Sequence, residues 1–146
     1  MTHGLDTSVL LRLLTNQPTR LAANAITRIY RRQLAGDTFF ISDLVLSEAY
    51  FALQDFYGVS KENSLSALKS LTSHPGFAVS DEAREALSLP NAAKANPGFV
   101  DRMIHGDYCG RGYKTYSCEK SFSRLPLTEI IRETDRLSDG EIYSKP

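Results

Sequence analysis

Cysteine is scarce in this chain of 146 residues, and so is any excess of charge. Two thiols, Cys109 and Cys118, make neither a disulfide framework nor a zinc motif. A reduced, cytoplasmic setting is therefore expected, with both cysteines as small packing residues. Lysine plus arginine equals aspartate plus glutamate at 17 each, which excludes the global basic field of proteins that hold duplex nucleic acid by charge alone; local basic patches stay open. No apolar run reaches membrane-spanning length, and Met1-Thr2-His3-Gly4 carries no export pattern. Also missing are a G-x-S-x-G elbow, a P-loop, an H-E-x-x-H motif, internal repeats and low-complexity tracts. The length is that of one ordinary domain with a real core.

What the chain does contain is short β-favouring runs alternating with amphipathic stretches, the pattern of an α/β fold with a mainly parallel sheet. Gly4-Leu5 reads as the end of a very short strand, and Val9, Leu10, Leu13 and Leu14 recur at helical spacing. Asp6 therefore sits at a strand-to-helix switch, where ligands tend to bind in open α/β sheets. Aspartate, threonine and serine are also good helix caps, and taken alone Asp6 reads better as a cap. Pro18 opens a second helix running through Ile29 and Tyr30 towards Gly36. Its outer face carries Arg28, Arg31 and Arg32, within reach of RNA or simply solvated. Thr38-Phe39-Phe40-Ile41 is a buried strand, after which Ser42 or Asp43 caps a third helix.

Three further acids follow, one inside a helix, one in a helix's first turn and one at a strand's end. Glu48 has Leu44, Val45, Phe51 and Ala52 as its helical neighbours, so the spacing predicts a carboxylate on a buried stripe. Such a group needs a cation, a metal or a hydrogen-bond network, and a salt bridge to an arginine weighs about as much as a metal role. Ser60 caps a structural helix through Leu65, Leu68 and Leu71, His74 lies in an exposed turn, and Ser80-Asp81 caps another helix. Phe99, Val100, Met103 and Ile104 resume helical spacing, with Asp101 in the first turn and His105 one turn on. Asp101 has the alternative of a first-turn dipole partner, and His105 reads as a polar residue on the way out of the helix. A β-favouring run from Tyr113 to Cys118 then places Glu119 at a strand's carboxyl end. Leu127 to Ile131 reads as an edge strand or a helical turn. The polar tail, residues 132–146, is expected to be mobile beyond a domain of residues 1–131.

In one parallel sheet, acids at two carboxyl ends, Asp6 and Glu119, can converge at one edge, with Glu48 and Asp101 facing the same cleft. Close carboxylates repel one another, so a cluster either binds protons tightly or recruits divalent cations. Oxygen-only ligands select hard cations, above all Mg²⁺ or Mn²⁺. Such a site suits phosphodiester hydrolysis without a histidine or cysteine nucleophile.

The order and surroundings of these acids resemble a known family. Leu5-Asp6-Thr7-Ser8-Val9-Leu10-Leu11-Arg12, Leu44-Val45-Leu46-Ser47-Glu48, Gly98-Phe99-Val100-Asp101 and Ser117-Cys118-Glu119-Lys120-Ser121-Phe122-Ser123-Arg124-Leu125-Pro126 look like the PIN domains, and within them the VapC toxins of toxin–antitoxin pairs. The resemblance implies a PIN-like fold and a Mg²⁺- or Mn²⁺-dependent endoribonuclease with Asp6, Glu48, Asp101 and Glu119 as metal ligands and catalytic acids. Thr7 or Ser8 would orient the site. It also implies an RNA substrate, a homodimer and an antitoxin that wraps the toxin and blocks its acidic cleft. Arg12, Arg102, Lys114 and Lys120 are the candidate RNA contacts. Two positions depart from the family pattern: Gly98 stands where an aspartate is often found, and Glu119 is longer by one methylene than the usual aspartate. Both favour an alternative reading, a PIN domain that binds RNA or a protein without cutting.

Overall fold

Three short parallel strands organise the first part of the chain, and each hands over directly to a helix. The computed structural model describes residues 1–135. Strand β1 is Thr2–Gly4, β2 is Thr38–Phe40 and β3 is Phe77–Ala78, hydrogen-bonded in the order β1-β2-β3, with Thr2 opposite Thr38 and Phe39 opposite Phe77. Parallel neighbours need long crossovers. Helices α1 (Thr7–Thr15) and α2 (Thr19–Leu34) supply the first, and α3 (Asp43–Asp55) and α4 (Lys61–Thr72) the second. Helix α5 covers Asp81–Leu87, and α6 covers Phe99–Gly110.

All three strands end at the same edge, and a capping side chain stands just beyond each. Asp6 accepts from the Ser8 amide, Ser42 from the Val45 amide and Ser80 from the Ala83 amide. Each satisfies a backbone donor that the first helical turn leaves free. At the far end of α1, Asn16 takes the left-handed conformation, φ 55°, in which its amide bonds the Arg12 carbonyl and stops the helix.

The chain divides into two compact units, Met1–Ile104 and the residues from His105 onward. In the first, Leu10, Ile41, Leu46, Leu68 and Met103 are the largest apolar side chains fully removed from water, apart from Pro97. Tyr50 packs edge-on against Phe99. The sheet of this unit has three strands; the expected central sheet is thus smaller than the sequence pattern suggested.

In the second unit β4 (Thr115–Ser117) pairs in parallel with β5 (Thr128–Ile130) as a separate two-stranded sheet, linked by a 3₁₀ turn over Lys120–Arg124. The Leu127–Ile131 segment is therefore a strand. His105 is only 6% exposed, contrary to its reading as a residue leaving the helix. Its Nδ1 lies 2.8 Å from the Thr115 hydroxyl, and its ring meets Phe122 edge-on. Cys109 approaches His105 Nε2 at 3.2 Å, whereas Cys118 is exposed, which corrects the expectation of a packing residue for that thiol. The expectation of a mobile tail falls largely on residues 136–146, outside the described ones. Among the described residues, no helix is long and apolar enough to cross a membrane.

Candidate acidic site

Asp6 leaves β1 in an extended conformation, φ −83° and ψ 155°, and turns its carboxylate back over the start of α1. Oδ2 accepts from the Ser8 hydroxyl at 2.6 Å and from the Ser8 amide at 3.2 Å. The Ser8 hydroxyl, then its amide, hold the carboxyl below its ordinary range; the slight desolvation opposes them, and the Thr7 amide adds a weaker pull downwards. An ionised, exposed carboxylate thus stands at the carboxyl edge of a parallel sheet. The helix cap expected at Asp6 is present.

Glu48 is placed differently from its sequence reading. The buried face of α3 is Leu46, Ala49, Tyr50 and Leu53, and Glu48 lies on the exposed side with Leu44, 70% exposed, and Phe51, 50% exposed. The helix has two apolar stripes, and period alone does not say which one turns inwards. Glu48 therefore carries no cost of burial: it is hydrated where it stands.

Asp101 is half-buried in the first turn of α6. Glu119 is exposed, and its amide donates to the Ser117 hydroxyl at 3.0 Å as the chain enters the 3₁₀ turn. Asp6, Glu48 and Asp101 belong to the first unit and Glu119 to the second, so β1 and β4 are not strands of one sheet. Among the described residues, no three histidine, cysteine, aspartate or glutamate side chains gather to hold a metal ion. The donors are oxygens, which suits a hard cation that keeps several of its waters, but they do not form an all-protein cage.

Of the proposed RNA contacts, Arg102 donates through Nε to the Pro97 carbonyl at 2.7 Å, and Lys114 pairs with Glu129 at 3.3 Å. That pair is half-exposed and adds little stability. Lys120 is exposed. Arg12 is half-buried, with an Nε that finds no partner among the described residues.

Two acids of consequence escaped the sequence reading. Asp43, in the first turn of α3, receives the Ser80 hydroxyl on Oδ1, tying together the helix starts that follow β2 and β3. Asp37 is buried and receives His3 Nε2, the amine of Met1 and Arg32. The His3 hydrogen bond foremost, then that of the amine, hold its carboxyl down to about 2 against the cost of burial, with Arg32 adding its charge. In sequence both looked like ordinary cap or turn residues, because their partners other than Arg32 come from 34 to 37 positions away.

No protein-family model and no curated protein sequence matches this chain. Among solved structures it is similar to the crystal structure of VapBC2 from Rickettsia felis bound to a DNA fragment from their promoter. That similarity has 18% identity over 90% of this chain and 100% of that one, with a TM-score of 0.37.

Proposed function

We propose that the chain is a PIN-like endoribonuclease of the VapC type, which uses Mg²⁺ or Mn²⁺ and is held in check by an antitoxin. The observation that carries this reading is Asp6, ionised and exposed where the first strand meets the first helix, followed in sequence by Glu48, Asp101 and Glu119 in the family's order. A bound divalent cation would supply charge for the phosphodiester oxygens and lower the pKa of water. Asp6 and Glu48 offer hydrated carboxylates to such a cation, and Ser8 keeps Asp6 oriented and deprotonated. Lys120 and Arg12 would attract RNA phosphate. For the antitoxin, an apolar groove lined by Val9, Ala25, Ile29 and Phe39, rimmed by Arg28 and Arg32, offers a seat for an amphipathic acidic segment. The homodimer remains part of the same proposal.

The second reading, a PIN domain that binds without cutting, is favoured by Gly98 and Glu119, which depart from the family's pattern. Total RNA incubated with the protein separates the two. Cleavage is expected with Mg²⁺ or Mn²⁺, and its loss is expected with EDTA and in Asp6→Asn. Cleavage that survives both controls overturns the metal-site assignment.

A further inference from the structure

We propose that the outer face of α2 is a binding track for single-stranded RNA, in which Asn24, Thr27, Arg28 and Arg31 seat a backbone phosphate and Tyr30 offers a base a stacking surface beside it. The kind of polynucleotide rests on the ribonuclease reading; the place rests on α2 itself.

The neutral total charge conceals a strongly polar distribution. Between Thr7 and Gly36 the chain has five arginines, no lysine and no carboxylate, while the remainder carries 12 basic against 17 acidic residues. Of the five, Arg12 lies half-buried on α1 and Arg32 is committed to Asp37. Arg20, Arg28 and Arg31 are exposed, and among the described residues no carboxylate pairs with any of them.

At 100° per residue, Arg20, Asn24, Thr27 and Arg31 point away from Ala22, the buried residue of the helix, and Arg28 stands beside them. Asn24, Thr27, Arg28 and Arg31 line a shallow, open depression along two turns. An ordinary solvated face offsets its charges with acids three or four positions away, and α2 has none. Arg28 instead has a like charge at Arg31, while the charge of Arg32 is offset by Asp37, and Arg20 opposes the positive helix start in a first turn without acid. A face that repels itself in this way is stabilised by an external anion.

The donors match phosphate in kind. Guanidinium forks bind its oxygens two at a time, and the amide of Asn24 and hydroxyl of Thr27 add neutral donors. Tyr30, 58% exposed, lies one turn beyond Thr27 on the neighbouring flank. An exposed ring next to a phosphate seat favours an unpaired strand, whose bases are free to stack.

The test is anisotropy of a short labelled single-stranded RNA with the full-length Asp6→Asn protein, titrated across a range of salt. Arg20→Ala/Arg28→Ala/Arg31→Ala removes the seated phosphate and the next one along the strand, which Arg20 would meet, and is expected to weaken binding at least about tenfold and to lower the salt slope by about 1.4, since each phosphate contributes about 0.7. Arg28→Lys/Arg31→Lys retains the charge, so affinity should fall while the slope holds. Tyr30→Ala should weaken the single strand by about fivefold or more and leave duplex RNA unchanged. Circular dichroism checks that each variant is folded. Absence of RNA binding by the parent overturns the proposal, as does a triple variant that binds RNA within about twofold of the parent. Loss of affinity for an acidic helical peptide with RNA affinity intact would make the face a protein-docking surface and equally overturn it. RNA binding without cleavage by the protein with Asp6 intact sinks the nuclease reading alone, and cleavage with an unaffected triple variant sinks the track alone.

Discussion

A carboxylate that caps a helix is held by the same donors that keep it ionised. At Asp6, Ser8 supplies both, so the side chain that a cation would approach is oriented before any ligand arrives. Among the described residues the Glu119 carboxylate makes no capping hydrogen bond, and it extends one methylene further than the aspartate usual in the resembling family. An added rotatable bond costs ordering entropy and displaces the oxygens. Glu119→Asp is therefore expected to raise the rate of RNA cleavage by about tenfold, measured as initial rate on one substrate. Gly98→Asp tests the other departure. A Cβ at Gly98 meets only the Ala95 carbonyl oxygen, at 3.9 Å, and the position immediately precedes α6. The new aspartate should fold without strain, stabilise the helix start by a few tenths of a kcal/mol (about 0.3), and add to the gain from Glu119→Asp. A double variant no faster than its parent would separate both positions from the proposed cleavage.

At the scale of elements, the caps were the most legible part of the chain. Ser42, Ser60 and Ser80 each accept from the amide three residues on, as the pattern of a serine before an apolar run implies. Helix α3 shows the limit of that kind of reasoning. Its two apolar stripes are nearly equivalent in sequence, and what turns Leu46 inwards and Leu44 outwards is the packing of α3 against α4 and α1. The contrast is measurable by urea denaturation. Leu46→Ala should cost about 2–5 kcal/mol, because it empties a site with no access to water. Leu44→Ala should stay within about 0.5 kcal/mol. Equal losses would mean that the helix is rotated from the orientation described. On α2 the same logic leaves Ile26, Tyr30 and Leu34 in water, while Ala22 carries the buried contact.

For the molecule as a whole, Asp37 links the chain's beginning to the far end of α2 and makes the first unit sensitive to acid. A carboxylate held down to about 2, from an ordinary 3.8, contributes stability above its ordinary value. That contribution drains as pH falls from about 4 towards about 2, since the unfolded chain takes up the proton first. Urea midpoints for the parent should fall across that window, while Asp37→Asn should start lower at neutral pH and change less. Parallel slopes for the two proteins would contradict the ion cluster as the acid-sensitive point.

Local chemistry accounts for what was readable in the sequence alone: helix starts at Asp6, Ser42 and Ser80, a turn at His74, parallel strands too short to stand without crossovers, and acids at the ends of elements at Asp6, Asp101 and Glu119. Each depends on neighbours within one helical turn or on the rule that parallel strands require long connections. Tertiary structure alone decided the rest. The exposure of Glu48, the burial of His105 against Thr115 and Phe122, the Asp43–Ser80 link, the charge centre at Asp37 and the pairing of β4 with β5 all depend on contacts between residues far apart in the chain or on which side of an element packing removes from water. Periodicity specifies that a face is apolar; only the surface it meets specifies that it is inside.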